Sequence, residues 1–204
     1  METGPLPTGK SGREGNLART RKALAATFDL SPRDTPRDSN GYVENLEDNL
    51  LPGVSRELFV SDYEQGSGSE LGSSSARPPK MHAIHSSAAL VVNTFARWKE
   101  NPKSLNIIGL SGFQSIQFEA KCPSELGGTP PNLDVLLDAG DVVVGIESKF
   151  LEYFSPHKAE FPQSYDSITD HRAESPWFQQ IVSLRQSPTK HACLDSAQLV
   201  KHYL

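Results

Sequence analysis

Residues 130–154 (PPNLDVLLDAGDVVVGIESKFLEYF) contain two short apolar runs on either side of a polar break. Branched aliphatic side chains dominate the first run, residues 133–137, and the second run, residues 142–150, alternates between two sets of side chains. Such runs are typical of paired β-strands, and the D-A-G-D sequence between them is typical of a turn. The pattern predicts a β-hairpin whose loop is either residues 139–140 or residues 138–141.

Three ionisable residues of this predicted hairpin are expected to converge. Side chains two residues apart on a strand share a face, so Glu147 and Lys149 point the same way. Either loop length pairs Asp134 with Gly145 and makes Asp134 the diagonal neighbour of Glu147, roughly 7 Å away between backbones. An odd loop length without a bulge would move Asp134 to the opposite face of the sheet. The sequence therefore predicts two carboxylates and one ammonium over the small Gly145.

Two chemical interpretations of this cluster are open. A Glu-x-Lys pair on an exposed strand is commonly a solvated ion pair. Two carboxylates with a backbone carbonyl nearby also suit a hard divalent cation, and a lysine beside them can neutralise charge on a phosphate. The uncharged VVVGI run at 142–146 predicts a strand buried on both faces, and charges at the end of a buried strand favour a functional site.

The spacing Asp134-x12-Glu147-x-Lys149 resembles the D-x(n)-(D/E)-x-K signature of the PD-(D/E)xK nuclease superfamily. The resemblance extends to a bacterial family of predicted restriction endonucleases and covers roughly residues 40–204. Four longer blocks carry it: HSSAALVVNTF (85–95), FEAKCP (118–123), GTPPNLDVLL (128–137) and IESKFLEY (146–153). This resemblance implies an α/β fold with a restriction-endonuclease-like α-β-β-β-α core and a mixed sheet.

The same resemblance implies a metal-dependent DNA endonuclease that hydrolyses phosphodiester bonds. Asp134 and Glu147 would hold Mg²⁺ or Mn²⁺, with the carbonyl of Ser148 as a third ligand, and Lys149 would position the attacking water. DNA is the expected substrate and partner, and a homodimer is an open alternative to a monomer. An RNA-directed nuclease would have the same metal site, and only a substrate panel would distinguish the two.

Two further residues are predicted to assist this site. Residues 115–120 alternate so that two apolar side chains face the core and Glu119 faces the other way, toward the site if this strand borders the Asp134 strand. Gln198 matches a glutamine that many superfamily members carry on the helix after the ExK strand, and His202 stands where those members have a tyrosine. The open alternative for Gln198 is a capping box with Asp195.

The remaining sequence sets the expected organisation. Residues 1–40 are predicted to be a flexible basic tail and residues 41–204 the nuclease domain, since 204 residues fit one domain plus tails. The net charge of −5 argues against a nonspecific DNA binder but not against local DNA contacts. Two cysteines without C-x-x-C spacing, and the lack of a long apolar run, predict a cytoplasmic protein with reduced thiols and no membrane segment.

Residues 85–100 are the clearest predicted helix, capped by Ser86 or Ser87, and residues 105–110 are predicted to form a short apolar strand. A last helix begins near Asp195. The superfamily core normally has a fourth strand after that helix, and none is visible before residue 204. A truncated, inactive remnant that acts at most as a binding module is therefore the alternative to an active nuclease.

Overall fold

The computed structural model describes residues 10–32, 35–66, 70–73, 77–123, 130–166 and 175–203. Its helices and strands confirm the α/β class. The helices are α1 (Lys10–Asp29), α2 (Val60–Gln65), α3 (Ser87–Phe95), α4 (Pro176–Gln186) and α5 (Ser196–Tyr203). The strands are β1 (Ser115–Lys121), β2 (Asn132–Asp138) and β3 (Val143–Ile146). The order α3-β1-β2-β3-α4 follows the expected α-β-β-β-α sequence, and its membership of the restriction-endonuclease core stays a prediction.

The three strands form one sheet in the order β1-β2-β3, with both neighbouring pairs antiparallel. The expected mixed sheet is therefore not present in the part of the chain that the structure describes. Antiparallel pairing follows from the connections, because consecutive strands joined without a long crossover return alongside each other in the opposite direction. No fourth strand joins this sheet within the described ranges.

The hairpin between β2 and β3 forms as predicted, but its loop lies one residue further along the chain. The Ala139 N–H donates to the Val142 carbonyl at 2.9 Å, so Gly140 and Asp141 are the loop residues. Gly140 has φ of 92°, and its N–H donates to Asp138 Oδ1 at 2.6 Å. Glycine at the first loop position is a known preference of two-residue hairpins, because it adopts positive φ without a steric penalty.

This loop position shifts the β2–β3 register by two residues from the prediction. Leu137 pairs with Val144 rather than with residue 142, and Leu136 pairs with Gly145. A shift of two preserves which side chains share a face, since the side-chain period of a strand is two. The expected convergence of the hairpin charges therefore survives the error in the loop.

Strand β3 is not buried on both faces, contrary to the expectation from its apolar sequence. Val143 is 59% exposed, whereas Val144 and Ile146 pack against the core. β3 is an edge strand of the sheet as described, so only one of its faces is covered. An uninterrupted run of valines does not distinguish an edge strand from a central one.

The main hydrophobic core lies between the sheet and helices α2 and α3. Phe118 on β1 stacks on Tyr63 of α2, with ring centroids 6.2 Å apart. The Ser86 hydroxyl accepts the Ala89 N–H at 3.2 Å and confirms the predicted helix cap, which is worth about 1 kcal/mol. The largest fully buried side chains of this core are Phe59, Phe113, Phe118, Met81, Leu137, Val91, Val92 and Val135.

A second core joins α4 and α5 and includes Phe178, Ile181, Leu184 and Val200. The Gln198 N–H donates to Asp195 Oδ1 at 3.0 Å, so Asp195 caps α5. This cap fixes where α5 begins and therefore which of its side chains reach the hairpin.

Residues 105–110 do not form the predicted strand. Ile107 and Leu110 exchange two backbone hydrogen bonds of 2.9 Å around a tight turn. Ile108 (φ 53°) and Gly109 (φ 80°) both adopt the left-handed conformation, and Ile108 is 94% exposed. The glycine permits a turn that the apolar pattern alone does not predict.

Helix α1 (Lys10–Asp29) lies within residues 1–40, the segment that the sequence predicts to be a flexible tail. A bidentate ion pair between Arg37 and Asp29 (2.9 and 2.8 Å) ties its end to the next segment, and the helix packs against a short turn at Glu152–Phe154. The division into residues 1–40 and 41–204 stays a prediction. None of the helices in the described ranges combines the length and apolar character needed to cross a bilayer.

Candidate active site

Three carboxylates occupy one row across the sheet: Glu119 on β1, Asp134 on β2 and Glu147 directly after β3. In the β1–β2 pair, the residues on either side of Glu119 face the residues on either side of Asp134. In the β2–β3 pair, Val135 faces Ile146, and one further step along this register brings Asp134 opposite Glu147. Directly opposed residues have Cβ atoms about 4.5–5.5 Å apart.

Hydrogen bonds from the segment after β3 hold these carboxylates in place. The Ser148 N–H donates to Asp134 Oδ2 at 2.6 Å, and Lys149 Nζ lies 2.6 Å from Glu147 Oε1. These two bonds use one oxygen of each carboxylate. The Asp134, Glu147 and Lys149 side chains are thus brought together as the sequence predicted. Ser148 contributes its N–H, and the role of its carbonyl as a metal ligand stays a prediction.

Grouping these acids in one partly buried row makes their ionised forms less favourable. Burial, and then the negative charge of Asp134, raise the pKa of Glu147 to about 7. Burial also raises the pKa of Asp134 and of Glu119 above their ordinary values. Burial alone would lower the pKa of Lys149, but the hydrogen bond and charge of Glu147 raise it above its ordinary value. Grouped acids with raised pKa values are typical of functional sites, where a bound cation offsets their repulsion.

Glu119 lies in the row with an unusual backbone. Its φ is 47°, in the left-handed region that non-glycine residues rarely adopt. Asn132 Nδ2 donates to Glu119 Oε2 at 3.0 Å, and the end of α2 approaches closely, since a Cβ added to Gly66 would lie 2.9 Å from Glu119 Cβ. Strained backbone of this kind costs about 1–3 kcal/mol and is concentrated at functional sites. Its auxiliary role stays a prediction.

Helix α5 brings His202 to the same carboxylates. His202 Nδ1 lies 3.7 Å from Glu147 Oε2, and the two side chains are 7% and 10% exposed. That distance exceeds a hydrogen bond, and by distance and angle neither ring nitrogen nor Glu147 Oε2 is hydrogen-bonded among the described residues, although the Asn132 backbone lies near enough to the ring to raise its pKa in part. Burial lowers the pKa of His202, which favours the neutral ring.

Gln198 lies in the first turn of α5, four residues before His202. Its backbone N–H bonds to Asp195, as the capping alternative expected, and its predicted auxiliary role stays a prediction. His202, at the position that the superfamily gives to tyrosine, is the α5 residue that reaches Glu147.

A cavity of about 600 Å³ adjoins Glu147 and His202. Its wall includes Trp177 and Tyr203, whose rings stack with centroids 3.8 Å apart. Leucine and valine side chains complete the wall, so the cavity is largely apolar except at the carboxylate and imidazole.

Two supporting residues have no sequence signal that would have identified them. Asp62 of α2 accepts both the Phe118 N–H (2.8 Å) and the Lys99 ammonium (2.5 Å), which anchors β1 beside Glu119. Asn132, which bonds Glu119, is the first residue of β2. Both act through contacts between distant segments, which a single sequence does not reveal.

The side chains of the candidate site limit which metal ions could bind there. No group of three or more His, Cys, Asp or Glu side chains in the described part of the chain is arranged to hold a metal. An all-protein zinc cage is therefore not formed there. Mg²⁺ is commonly bound through one or two carboxylates while it keeps several waters, and Asp134 and Glu147 supply that number.

Comparison with known proteins gives one family. A family model described as REase-ARP, "Restriction Endonuclease associating with ARP", matches residues 17–204. The match includes the whole sheet, the carboxylate row and α2 to α5. Neither the curated proteins nor the solved structures give a match.

Proposed function

Because the chain belongs to the REase-ARP family of restriction endonucleases, we propose that it is a metal-dependent DNA endonuclease whose reaction occurs at Asp134, Glu147 and Lys149. One observation carries this proposal. The β2–β3 register and the Ser148–Asp134 hydrogen bond bring two partly buried carboxylates and one ammonium to the same end of the hairpin. A solvated surface ion pair would not explain the raised pKa of both carboxyl groups.

Each residue has a distinct part in the proposed reaction. Asp134 and Glu147 would hold Mg²⁺ or Mn²⁺ through the oxygens that Ser148 and Lys149 leave unused, with the Ser148 carbonyl as a further ligand. A bound metal would supply charge stabilisation at the phosphate. Lys149 would position the attacking water and offset negative charge, and Glu119 would act as an auxiliary acid one strand away.

The test is cleavage of plasmid and linear duplex DNA with added Mg²⁺. EDTA should abolish cleavage, because without a metal ion the two carboxylates repel the phosphate and nothing they hold stabilises its charge. Lys149→Ala and Glu147→Gln should each reduce the rate roughly 100-fold or more. Asp141→Asn is the matched control, since this exposed carboxylate lies in the loop of the same hairpin. Cleavage that survives EDTA or the Lys149→Ala change would contradict the assigned roles.

One observation favours a second candidate, a binding module without cleavage. Lys149 already pairs with Glu147, and no ready-made three-residue metal group occurs among the described residues. Such a protein would bind DNA with Mg²⁺ present and leave it intact. RNA substrates in the same assay distinguish a DNA from an RNA nuclease.

The family description also names an association with ARP, and such an association is part of the proposal for this chain. Homodimerisation stays a prediction. Light scattering on the purified chain, alone and with duplex DNA, measures the number of copies in each complex.

A further inference from the structure

A second cavity, of about 770 Å³, lies between α1, the segment 37–42 and the residues around Arg77 and His85. Its lining is polar and strongly basic, with four permanently cationic side chains and one carboxylate, Asp38. The four cationic residues are Arg21, Lys22, Arg37 and Arg77. We call this cavity the basic cavity.

The lining cations differ in how they are held. Arg37 is fixed, because Asp29 binds its guanidinium bidentately and the Asp38 carbonyl accepts a further bond at 3.2 Å. Within the described ranges, Arg21, Lys22 and Arg77 form no ion pair. The one lining carboxylate is used internally, since Asp38 Oδ1 accepts two backbone N–H groups at 2.8 Å.

The cations converge from separate segments rather than spreading along one helix face. Arg21 and Lys22 come from α1, Arg37 from the segment that follows it, and Arg77 from the chain just before α3. After the effect of burial, the charge of Arg21 lowers the pKa of His85, so its guanidinium is close to that ring. Such convergence is unexpected in a chain with a net charge of −5, where repulsion among cations needs an offsetting anion.

The basic cavity and the carboxylate row are linked by the short turn at Glu152–Phe154. Helix α1 packs against this turn, which begins three residues after Lys149. Glu152 is within electrostatic reach of both regions, since its charge adds to the raising of the Asp134 pKa and opposes the lowering of the His85 pKa. The turn therefore connects a helix that lines the basic cavity with the chain segment that carries Glu147 and Lys149.

We propose that the basic cavity binds backbone phosphates of the nucleic acid next to the bond that is cleaved. The inference rests on the proposed nuclease function and adds a phosphate-binding site to it. Guanidinium groups bind phosphate oxygens bidentately, and unpaired arginines need no partner to be displaced first. The phosphates of a free nucleoside triphosphate have the same chemistry, so the experiment has to separate the two sources.

The experiment measures binding without cleavage. Anisotropy of a short fluorescein-labelled duplex is followed in EDTA at several salt concentrations, with wild type and with Arg21→Ala/Arg77→Ala. The variant should bind at least about tenfold more weakly. Its slope of log affinity against log salt should be smaller by up to about 2, because each phosphate contact contributes about 0.9. Arg56→Ala/Arg97→Ala, which removes two exposed arginines outside the cavity, is the matched control and should bind like wild type.

Each outcome decides the inference. Wild-type affinity and slope in the cavity variant, or no DNA binding by wild type, would overturn it. Tight binding of a nucleoside triphosphate that the cavity variant loses, with DNA binding unchanged, would show a nucleotide site and would also overturn it. Cleavage in Mg²⁺ is a separate readout. Wild type that binds DNA but does not cleave it contradicts the nuclease proposal, and with it the placement of the phosphates next to a cleaved bond; weaker binding by the cavity variant would then still show a phosphate-binding site. Normal cleavage and binding by the cavity variant contradict only this inference.

Discussion

Within the carboxylate row, burial and neighbouring negative charge disfavour the ionised form of Glu147 most strongly. It is 10% exposed, faces Asp134 across the hairpin, and has Lys149 on one oxygen and His202 near the other. The lysine offsets only part of the desolvation of the carboxylate, so its pKa remains raised. The folded chain is therefore expected to lose stability when Glu147 ionises, and two predictions at the residue scale follow from that.

The first prediction concerns stability against pH without divalent ions. The pKa of Glu147 is about 7 in the folded chain and about 4.5 when unfolded, so the folded state binds the proton more tightly. Stability from this group is full below about pH 4.5, falls as pH rises and is lost above about pH 7, a difference of at most about 3 kcal/mol. Glu147→Gln should therefore unfold at higher urea concentration than wild type at pH 8. A Glu147→Gln protein less stable than Asp141→Asn at pH 8 would contradict this.

The second prediction concerns Mg²⁺. A cation held by Asp134 and Glu147 stabilises only the folded chain, so at tenfold excess over its dissociation constant it adds about 1.4 kcal/mol. The melting temperature should rise by about 3–6 °C at pH 8. The rise should be smaller at pH 6, because protons compete for Glu147. Asp134→Asn should abolish the rise, while Asp141→Asn should retain it. An equal rise in both variants would mean that Mg²⁺ binds elsewhere.

At the element scale, the hairpin is held in register by its loop. Gly140 has φ of 92°, and an added Cβ would lie 2.6 Å from Gln114 Nε2. Gln114 donates through that nitrogen to the Ala139 carbonyl at 3.2 Å, so the loop is tied to the segment before β1. Any change that displaces the loop would move Asp134 away from Glu147.

Gly140→Ala should therefore lower both stability and cleavage. The strained φ and the contact with Gln114 should cost about 1–3 kcal/mol. Gly53→Ala is the matched control, since Gly53 has φ of 84° but nothing within 4 Å of its added Cβ. The control should lose stability through strain alone and keep its cleavage rate at a temperature where both variants are folded. Equal cleavage by the two variants would show that the loop does not set the register of the site.

The elements also show which parts of the fold the sequence predicts. The helix cap at Ser86, the core-facing side chains of β1 and the grouping of Asp134, Glu147 and Lys149 follow from local periodicity, which a single sequence contains. The exact hairpin loop, the exposure of Val143 and the turn at Ile108 do not. They depend on which positions adopt positive φ and on which strand lies at the sheet edge, and both are decided by contacts between distant segments. The sequence places His202 where superfamily members have a tyrosine. Its approach to Glu147 was not predictable, because it depends on the packing of α4 against α5.

At the scale of the whole molecule, two hydrophobic cores support one carboxylate row from different sides. The main core fixes β1 and β2, and the second core fixes the helix that carries His202. None of the described side chains of α1 belongs to either core. Helix α1 instead supplies Arg21 and Lys22 to the basic cavity and contacts the turn after Lys149. Together with the proposed phosphate site, this division predicts that α1 contributes more to substrate binding than to folding.

A chain that starts at residue 35 tests this division. It keeps every buried residue of both cores, so it should unfold cooperatively, with a melting temperature within a few degrees of the full chain. It lacks two of the four cavity cations, so it should bind duplex DNA more weakly in EDTA, with a salt slope smaller by up to about 2. Arg21→Ala/Lys22→Ala in the full chain is the matched control and should reproduce the binding loss with α1 still present. A shortened chain that binds DNA like the full chain, or that no longer folds, would show that α1 does not have the separate role inferred from its contacts.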